Sequence, residues 1–408
     1  MKKTFYLLLI LLVLLPINAF ALGNINLYSK EYVLYDSTDD KIIVSKDIDK
    51  KANIASITKL MTVLVTLDKI DNVDQEVTIT REELSRVPYD AFRIGFKADE
   101  KVTYSDLIYA TLIPSAGDAA SVLASKTYGS TNKCVEAMNN KAKELGLTKT
   151  HFGDVIGLDD DNTYSTVTDV LNLLKHVMKD EKFTEFFKTR YTIISGDREL
   201  EASYIHYSEI ANVTLSNIVA GKTGYTDRAG LCFAFVFNQY GHTYYAVTLG
   251  APVENLKYYK NMVDANSIIQ YINDNYEYRT VLAQGDTYNK IKVKNSNIKE
   301  YNVTVREDVN ILLSVDEDKN KVISKSTVPR ELSPSYKKGD KLGTITYYYN
   351  GKELASVDVY LEEDIKFSLL GFMESNSTLT LAIVLLIIVI GSIVAMLIVK
   401  KGHKKVVK

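Results

Sequence analysis

The chain has 408 residues, 46% hydrophobic and 25% charged, a balance that excludes a disordered or fibrous protein. A formal net charge of -2, with both signs mixed and no basic run in the body of the chain, argues against nucleic acid as the main partner. Two cysteines, Cys134 and Cys232, exclude a disulfide framework and leave a single bridge open, and five scattered histidines without an HExxH or Cys/His cluster leave little for a zinc site.

In chain order, Lys2 and Lys3, the apolar run Phe5 to Leu15 and then Ala19-Phe20-Ala21 read as a secretory signal cleaved after Ala21. The apolar run is short for a retained membrane anchor. Two strands are expected at Glu31 to Tyr35 and Lys41 to Val44, joined by the turn formers Asp36 to Asp40. From Ser56 to Ile70 apolar residues crowd every face, which predicts a buried helix. Further helices are expected at Tyr104 to Leu112, stopping before Pro114, and at Ala119 to Tyr128, ended by Gly129. Helical spacing continues through Cys134 to Leu145 and Thr168 to Met178.

After Gly221 the texture becomes strand-like, with Gly230 to Phe237 and Thr243 to Leu249 joined through Asn238 to His242. A helix over Asn255 to Asn273 then closes the first domain. From about Tyr278 only strands are expected: Lys290 to Val293, Tyr301 to Val305, Asn310 to Val315, Gly343 to Tyr349 and Ala355 to Leu361. The last two flank Asn350-Gly351, a strong hairpin signal. Thr378 to Val399 is apolar and long enough to cross a hydrocarbon core of about 30 Å. The lysines at 400, 401, 404, 405 and 408 place its far end in the cytoplasm. The expected plan is a signal peptide (1–21), a catalytic domain (22–277), an all-β domain (278–365), a linker (366–377), a transmembrane helix (378–399) and a cytoplasmic basic tail (400–408).

Ser56-Ile57-Thr58-Lys59 sets a hydroxyl and an amine one helical turn apart on one face. Serine acyl transfer needs a nearby base, and burial in so apolar a helix lowers a lysine pKa enough for it to serve. The helix N-terminus also favours an oxyanion near Ser56. Ser-x-x-Lys alone is a weak signal, because Ser130 to Lys133, Ser296 to Lys299 and Ser335 to Lys338 repeat it away from any buried helix. Lys222-Thr223-Gly224 occurs once, at the start of the strand-rich segment. A lysine beside a hydroxyl can hold a carboxylate, and the glycine admits a peptide backbone, although an ordinary turn has the same composition. Ser115, after Pro114, could relay a proton to a leaving amine or serve as a helix or turn cap.

Together these elements resemble the penicillin-binding protein and serine β-lactamase superfamily. Its low-molecular-mass D-Ala-D-Ala carboxypeptidases are more similar still. The likeness rests on Ala55-Ser56-Ile57-Thr58-Lys59-Leu60-Met61-Thr62 and on Lys222-Thr223-Gly224-Tyr225-Thr226 with Ala229-Gly230 and Cys232. Gly157-Leu158 and Tyr164-Ser165-Thr166 with Asp169 add to it, and it spans roughly Tyr32 to Leu361. The resemblance implies an α/β (α+β) fold: a β-lactamase/transpeptidase-like domain, then a small all-β domain and a C-terminal anchor. It implies Ser56 as acylated nucleophile, Lys59 as general base and Ser115 as proton relay. Lys222, Thr223, Gly224 and Tyr225 would bind substrate, with the backbone N–H groups of Ser56 and Tyr225 forming the oxyanion hole. The implied partners are peptidoglycan peptide stems and inhibitory β-lactams, with no metal or organic cofactor.

One position departs. The family's second motif is Ser-x-Asn, and here it reads Ser115-Ala116-Gly117-Asp118. Gly117 removes an amide that would contact substrate and Lys59, so Gly117→Asn is expected to speed the reaction, while Asp118 is expected to cap the following helix. Two alternatives follow: a catalytically impaired peptidoglycan-binding or scaffolding protein, and a β-lactamase. The second lacks the glutamate of a Glu-x-x-x-Asn loop, the corresponding stretch reading Thr168-Asp169-Val170-Leu171-Asn172.

Overall fold

The computed structural model describes residues 25–87, 89, 91–253 and 259–406, with side chains described as far as residue 398. The segment 1–21, expected to be a signal, and residues 255–258 of the expected closing helix lie outside the described residues. The chain divides into two compact units after Asn273.

The first unit is built on a five-stranded antiparallel sheet. Its strands are β1 (Glu31–Asp36), β2 (Lys41–Lys46), β3 (Ile218–Thr226), β4 (Gly230–Gln239) and β5 (His242–Ala251), in the spatial order β2-β1-β5-β4-β3. The N-terminal hairpin joins the sheet through β1 against β5, from Glu31 opposite Leu249 to Asp36 opposite Tyr244. Strand alternation brings Phe233, Phe235 and Phe237 to one face, where their rings follow one another at 4.5 and 5.8 Å. The turn between β4 and β5 is tighter than the sequence suggests. Tyr240 and Gly241 both take positive φ (52° and 76°), as a two-residue hairpin turn requires.

The helices follow the apolar pattern. A 3-10 turn over Ala55–Thr58 leads into α1 (Lys59–Leu67), all nine residues of which are buried. Around it lie α2 (Tyr104–Leu112), α3 (Gly117–Tyr128), α4 (Thr131–Glu144) and α5 (Val167–Val177). Their ends show why these residues start and stop helices. Thr103 and Asp106 form a reciprocal capping box on α2, Thr166 caps α5, and Gly129 ends α3 at φ 80°. Ser130, half of one spurious Ser-x-x-Lys match, is the N-cap of α4. A last helix, α6 (Lys260–Asn275), carries Asp264, whose carboxylate accepts from the Ser29 backbone and hydroxyl at 2.8 and 2.5 Å and ties down the N-terminal segment. Cys134 on α4 and Cys232 on β4 are both free and buried, so no bridge forms between them.

The second unit carries three small sheets: 276–282 with 309–314; 287–293 with 300–304 and 331–332; and 323–326 with 341–349 and 352–360. They enclose a core of Ile291, Val303, Ile311, Leu313, Leu332, Ile345, Val359 and Leu361. The Asn350-Gly351 turn forms as expected, with φ of 49° and 83°. After the strands comes α7 (Leu369–Ser375), in a stretch that reads only as a connection in the sequence, and then α8 (Ser377–Val406). Within α8, Ser377–Ile398 is long and apolar enough to cross a membrane.

Candidate active site

The 3-10 turn ahead of α1 presents Ser56 partly exposed while its neighbours Ala55, Ile57 and Thr58 are buried. Ala55 takes φ 47° and Ser115 φ 71°, so two non-glycine residues of this region sit in left-handed backbone. Such conformations cost about 1–3 kcal/mol each and persist where the surroundings over-determine them. Lys59, at the first position of α1, is 1% exposed. Its Nζ lies 2.8 Å from Ser56 Oγ and donates to the Ile156 carbonyl at 3.0 Å. Burial pushes its pKa down to about 7, against the opposing pull of the Asp154 and Asp118 carboxylates.

The loop that meets Lys59 is fixed by Asp154. Its carboxylate accepts from the backbone N–H groups of Ile156, Gly157 and Leu158, leaving the Ile156 carbonyl pointed at Lys59. Gly157 sits at φ 87°, and a Cβ there would lie 1.9 Å from the Ala55 carbonyl oxygen, so only glycine lets loop and turn meet.

Strand β3 runs along the other side. Lys222 is fully buried, and its pKa lies well below the usual lysine value, first through burial and then through the nearby Lys59 charge. Thr223 Oγ1 is 2.6 Å from the hydroxyl of Ser203, at the start of the helix Ser203–Ile210. A Cβ on Gly224 would stand 3.1 Å from the Ser56 backbone nitrogen, so the glycine brings the strand edge against the serine turn. Tyr225 is exposed, and its hydroxyl donates to Asp227. Ser56, Lys59, Ser115, Thr223, Gly224 and Tyr225 line one cleft of about 230 Å³, together with Ile156, Leu158 and Asn261. Lys222 and Gly117 are not in its lining, and Thr168, at the start of the stretch that lacks the glutamate of a Glu-x-x-x-Asn loop, lies in α5 and donates to the Ile48 carbonyl.

Two details of the second motif differ from expectation. Asp118 does not cap α3: the N-cap is Ala116, and the Asp118 carboxylate is buried, accepting from the backbone nitrogens of Ile94, Gly95, Phe96 and Ala119. A buried carboxylate needs several donors, and these N–H groups supply them while the carboxylate anchors their loop. Gly117 lies in the first turn of α3 and donates to the Phe92 carbonyl at 2.7 Å. A Cβ there would come within 2.8 Å of Ala91 Cβ and 3.3 Å of the Phe92 carbonyl. The acceleration expected from Gly117→Asn is therefore replaced by a different outcome. We expect that variant to lose about 1–3 kcal/mol of stability by overpacking, with no gain in β-lactam acylation rate. Ala91→Gly should recover part of that loss. Thermal melting and stopped-flow acylation check this, and a faster, equally stable single variant would refute it.

Sequence reasoning missed Asp154, Ile156, Ser203 and Asn261. Asp154 had a signal, an aspartate three residues ahead of a glycine, the pattern of a side-chain-capped turn. Asn261 had none: it is 1% exposed on α6, donates to the Cys232 carbonyl at 3.1 Å, and reaches the cleft only through the fold.

A partly exposed serine touching a buried lysine, in a cleft edged by a strand with a second buried lysine, supplies the nucleophile and the adjacent base that serine acyl transfer needs. Residues 18–253 match the family described as D-alanyl-D-alanine carboxypeptidase, and residues 276–366 match the C-terminal domain of penicillin-binding protein 5. The chain belongs to the D-alanyl-D-alanine carboxypeptidase family. It is 27% identical over 339 residues to the D-alanyl-D-alanine carboxypeptidase DacF of Bacillus subtilis, covering 83% of this chain and 86% of that one. Its fold is similar to penicillin binding protein 5 from Haemophilus influenzae (TM-score 0.57, 23% identity, 84% of this chain and 99% of that one). It is also similar to PBP3 from Streptococcus pneumoniae (TM-score 0.60, 22% identity, 84% and 100%).

Proposed function

We propose that this chain is a serine-type D-Ala-D-Ala carboxypeptidase that removes the terminal D-alanine from peptidoglycan pentapeptide stems through an acyl-enzyme. The observation that carries the reading is the 2.8 Å contact between Ser56 Oγ and the buried Lys59 Nζ. In this mechanism neutral Lys59 takes the Ser56 proton as Oγ attacks the carbonyl of the penultimate D-alanine. The backbone N–H groups of Ser56 and Tyr225 receive the oxyanion. The C–N bond then breaks, Ser115 passes the proton to the departing amine, and D-alanine leaves an ester on Ser56. Water, deprotonated by Lys59, hydrolyses that ester and restores the serine. Thr223, which lines the cleft, meets the terminal carboxylate, and Lys222, buried beside it, supplies positive charge from behind, its protonated form being favoured by the carboxylate. The Ile156 carbonyl steadies Lys59 where the family's second motif uses an amide, which favours catalysis over a purely binding role.

The domain plan of the sequence is carried forward as part of this proposal: signal 1–21, catalytic domain 22–277, all-β domain 278–365, connection 366–377, span 378–399 and cytoplasmic tail 400–408. Both folded domains then lie outside the cell, where the stems are, and β-lactams are inhibitors. Incubating the purified protein with a pentapeptide stem should release one D-alanine per stem, and penicillin should block the release. Stem binding without any free D-alanine would favour the scaffolding alternative and sink this one.

A further inference from the structure

The space beside Gly117 is taken up by the segment 91–96. The Gly117 N–H donates to the Phe92 carbonyl at 2.7 Å, and a Cβ on Gly117 would stand 2.8 Å from Ala91 Cβ, so only a residue without a side chain lets the two backbones come this close. The segment is pinned onward from there. The Asp118 carboxylate accepts from the N–H groups of Ile94, Gly95 and Phe96, and the Arg198 guanidinium lies over the Phe96 ring at 4.9 Å. Arg93 reaches back to donate to the Val87 carbonyl at 2.7 Å.

This clamp sets Phe92 at the mouth of the cleft. Phe92 is 59% exposed and lines the cleft beside Ala91, Pro114 and Ser115. One exposed phenylalanine is ordinary on a protein surface. This one is held in place where a ligand would cover it. The end of the cleft it serves follows from its neighbours. With the terminal carboxylate at Thr223 and the oxyanion at Tyr225, a bound peptide continues along β3 toward Thr226. Leu158 belongs to that end, because the next residue, Asp159, accepts from the Arg228 N–H at 3.0 Å. Ile156, two residues before Leu158, faces Gly117, its Cγ2 being 3.4 Å from where a Cβ would sit. Ala91, Phe92, Ile156 and Leu158 thus give the cleft an apolar wall across from β3.

We propose that Phe92 is a specificity-determining residue: with Leu158 it receives the apolar part of the side chain on the stem residue that precedes the two D-alanines, and Gly117 is what lets it stand there. The proposal rests on the carboxypeptidase reading of the cleft and deepens it. The methylenes of a long side chain such as lysine lie against the ring and leave water, while its polar end stays outside the cleft. On this view the change to glycine in the second motif gives the cleft a substrate contact of a different kind.

The test compares acetyl-norleucyl-D-alanyl-D-alanine with acetyl-glycyl-D-alanyl-D-alanine, which differ only in the apolar side chain at that residue. The full-length protein should release D-alanine with a higher kcat/KM from the norleucyl peptide. Phe92→Ala should cut kcat/KM about fivefold for the norleucyl peptide, the worth of one aromatic contact, and less than about twofold for the glycyl peptide. Phe92→Leu should keep most of the preference. Gly117→Ala, whose Cβ displaces Ala91 and Phe92, should lose the preference as Phe92→Ala does. A parent protein indifferent to the two peptides, or a Phe92→Ala variant that slows on both alike, would overturn the proposal. A Gly117→Ala protein with the parent's preference would overturn the part given to Gly117. If the parent releases no D-alanine from either peptide and takes no penicillin adduct on Ser56, the carboxypeptidase reading itself fails and this proposal with it.

Discussion

Penicillin incubated with the purified protein is expected to leave a covalent adduct on the tryptic peptide that contains Ser56, and Ser56→Ala is expected to abolish both that adduct and D-alanine release. The loss should be on the order of 10⁴-fold or more, since removing the nucleophile of a catalytic unit disables the whole unit. The lactam amide is cleaved as the substrate amide would be, but its leaving group stays attached, so the ester persists long enough for mass spectrometry. Ser115 is the other serine that lines the cleft, yet the 2.8 Å contact with Lys59 belongs to Ser56. An adduct on Ser115, or labelling that survives Ser56→Ala in a variant with an unchanged melting curve, would refute the assignment.

The second large effect is a pH dependence set by Lys59. Burial brings its pKa down to about 7, and only the neutral amine can accept the serine proton. Acylation should therefore rise with pH through about 7. Going from about pH 5.5 to about pH 8.5 raises the neutral fraction from roughly 0.03 to near 1, so the rate should rise about thirtyfold. The same shift acts on stability with a definite sign. An unfolded lysine holds its proton to about pH 10.4. Between about pH 7 and that value the unfolded chain binds a proton that the folded chain does not, so stability rises with pH across this window. Lys222, also pushed down by burial, adds in the same direction.

It follows that Lys59→Met, which fills the same space without a charge to desolvate, should abolish acylation while raising Tm, by roughly 2–4 °C for each kcal/mol gained. A flat acylation profile over this range, or a break near the ordinary lysine value, would show that Lys59 is not the base. A Lys59→Met protein that melts lower than the parent would show that the buried amine stabilises the fold.

Much of the architecture was legible because local chemistry decides it. The helix Tyr104–Leu112 falls where its capping threonine and following proline put it, and Asn350-Gly351 makes its hairpin because both residues accept positive φ. The all-apolar pattern around Ser56 correctly announced a buried α1, and with it a buried lysine. Short elements with little periodicity escaped notice, among them the hairpin 191–194 with 198–201 and the helix Leu369–Ser375. A helix of seven residues gives an apolar pattern barely two turns in which to show itself.

What the sequence determined by itself is the set of reactive groups and their local frames: Ser56 one turn from Lys59, and Lys222-Thr223-Gly224 on a strand. Only the tertiary structure decided what those groups touch. The pairing of β1 with β5 joins residues more than two hundred positions apart, and the Ile156 carbonyl reaches Lys59 across ninety-seven. The crowding that closes the space beside Gly117 comes from Ala91 and Phe92, on a loop whose position no local pattern encodes. Spacing and propensity act within a few residues along the chain, whereas burial, and with it the lysine pKa values on which the chemistry depends, is set by whatever the whole fold packs around each group.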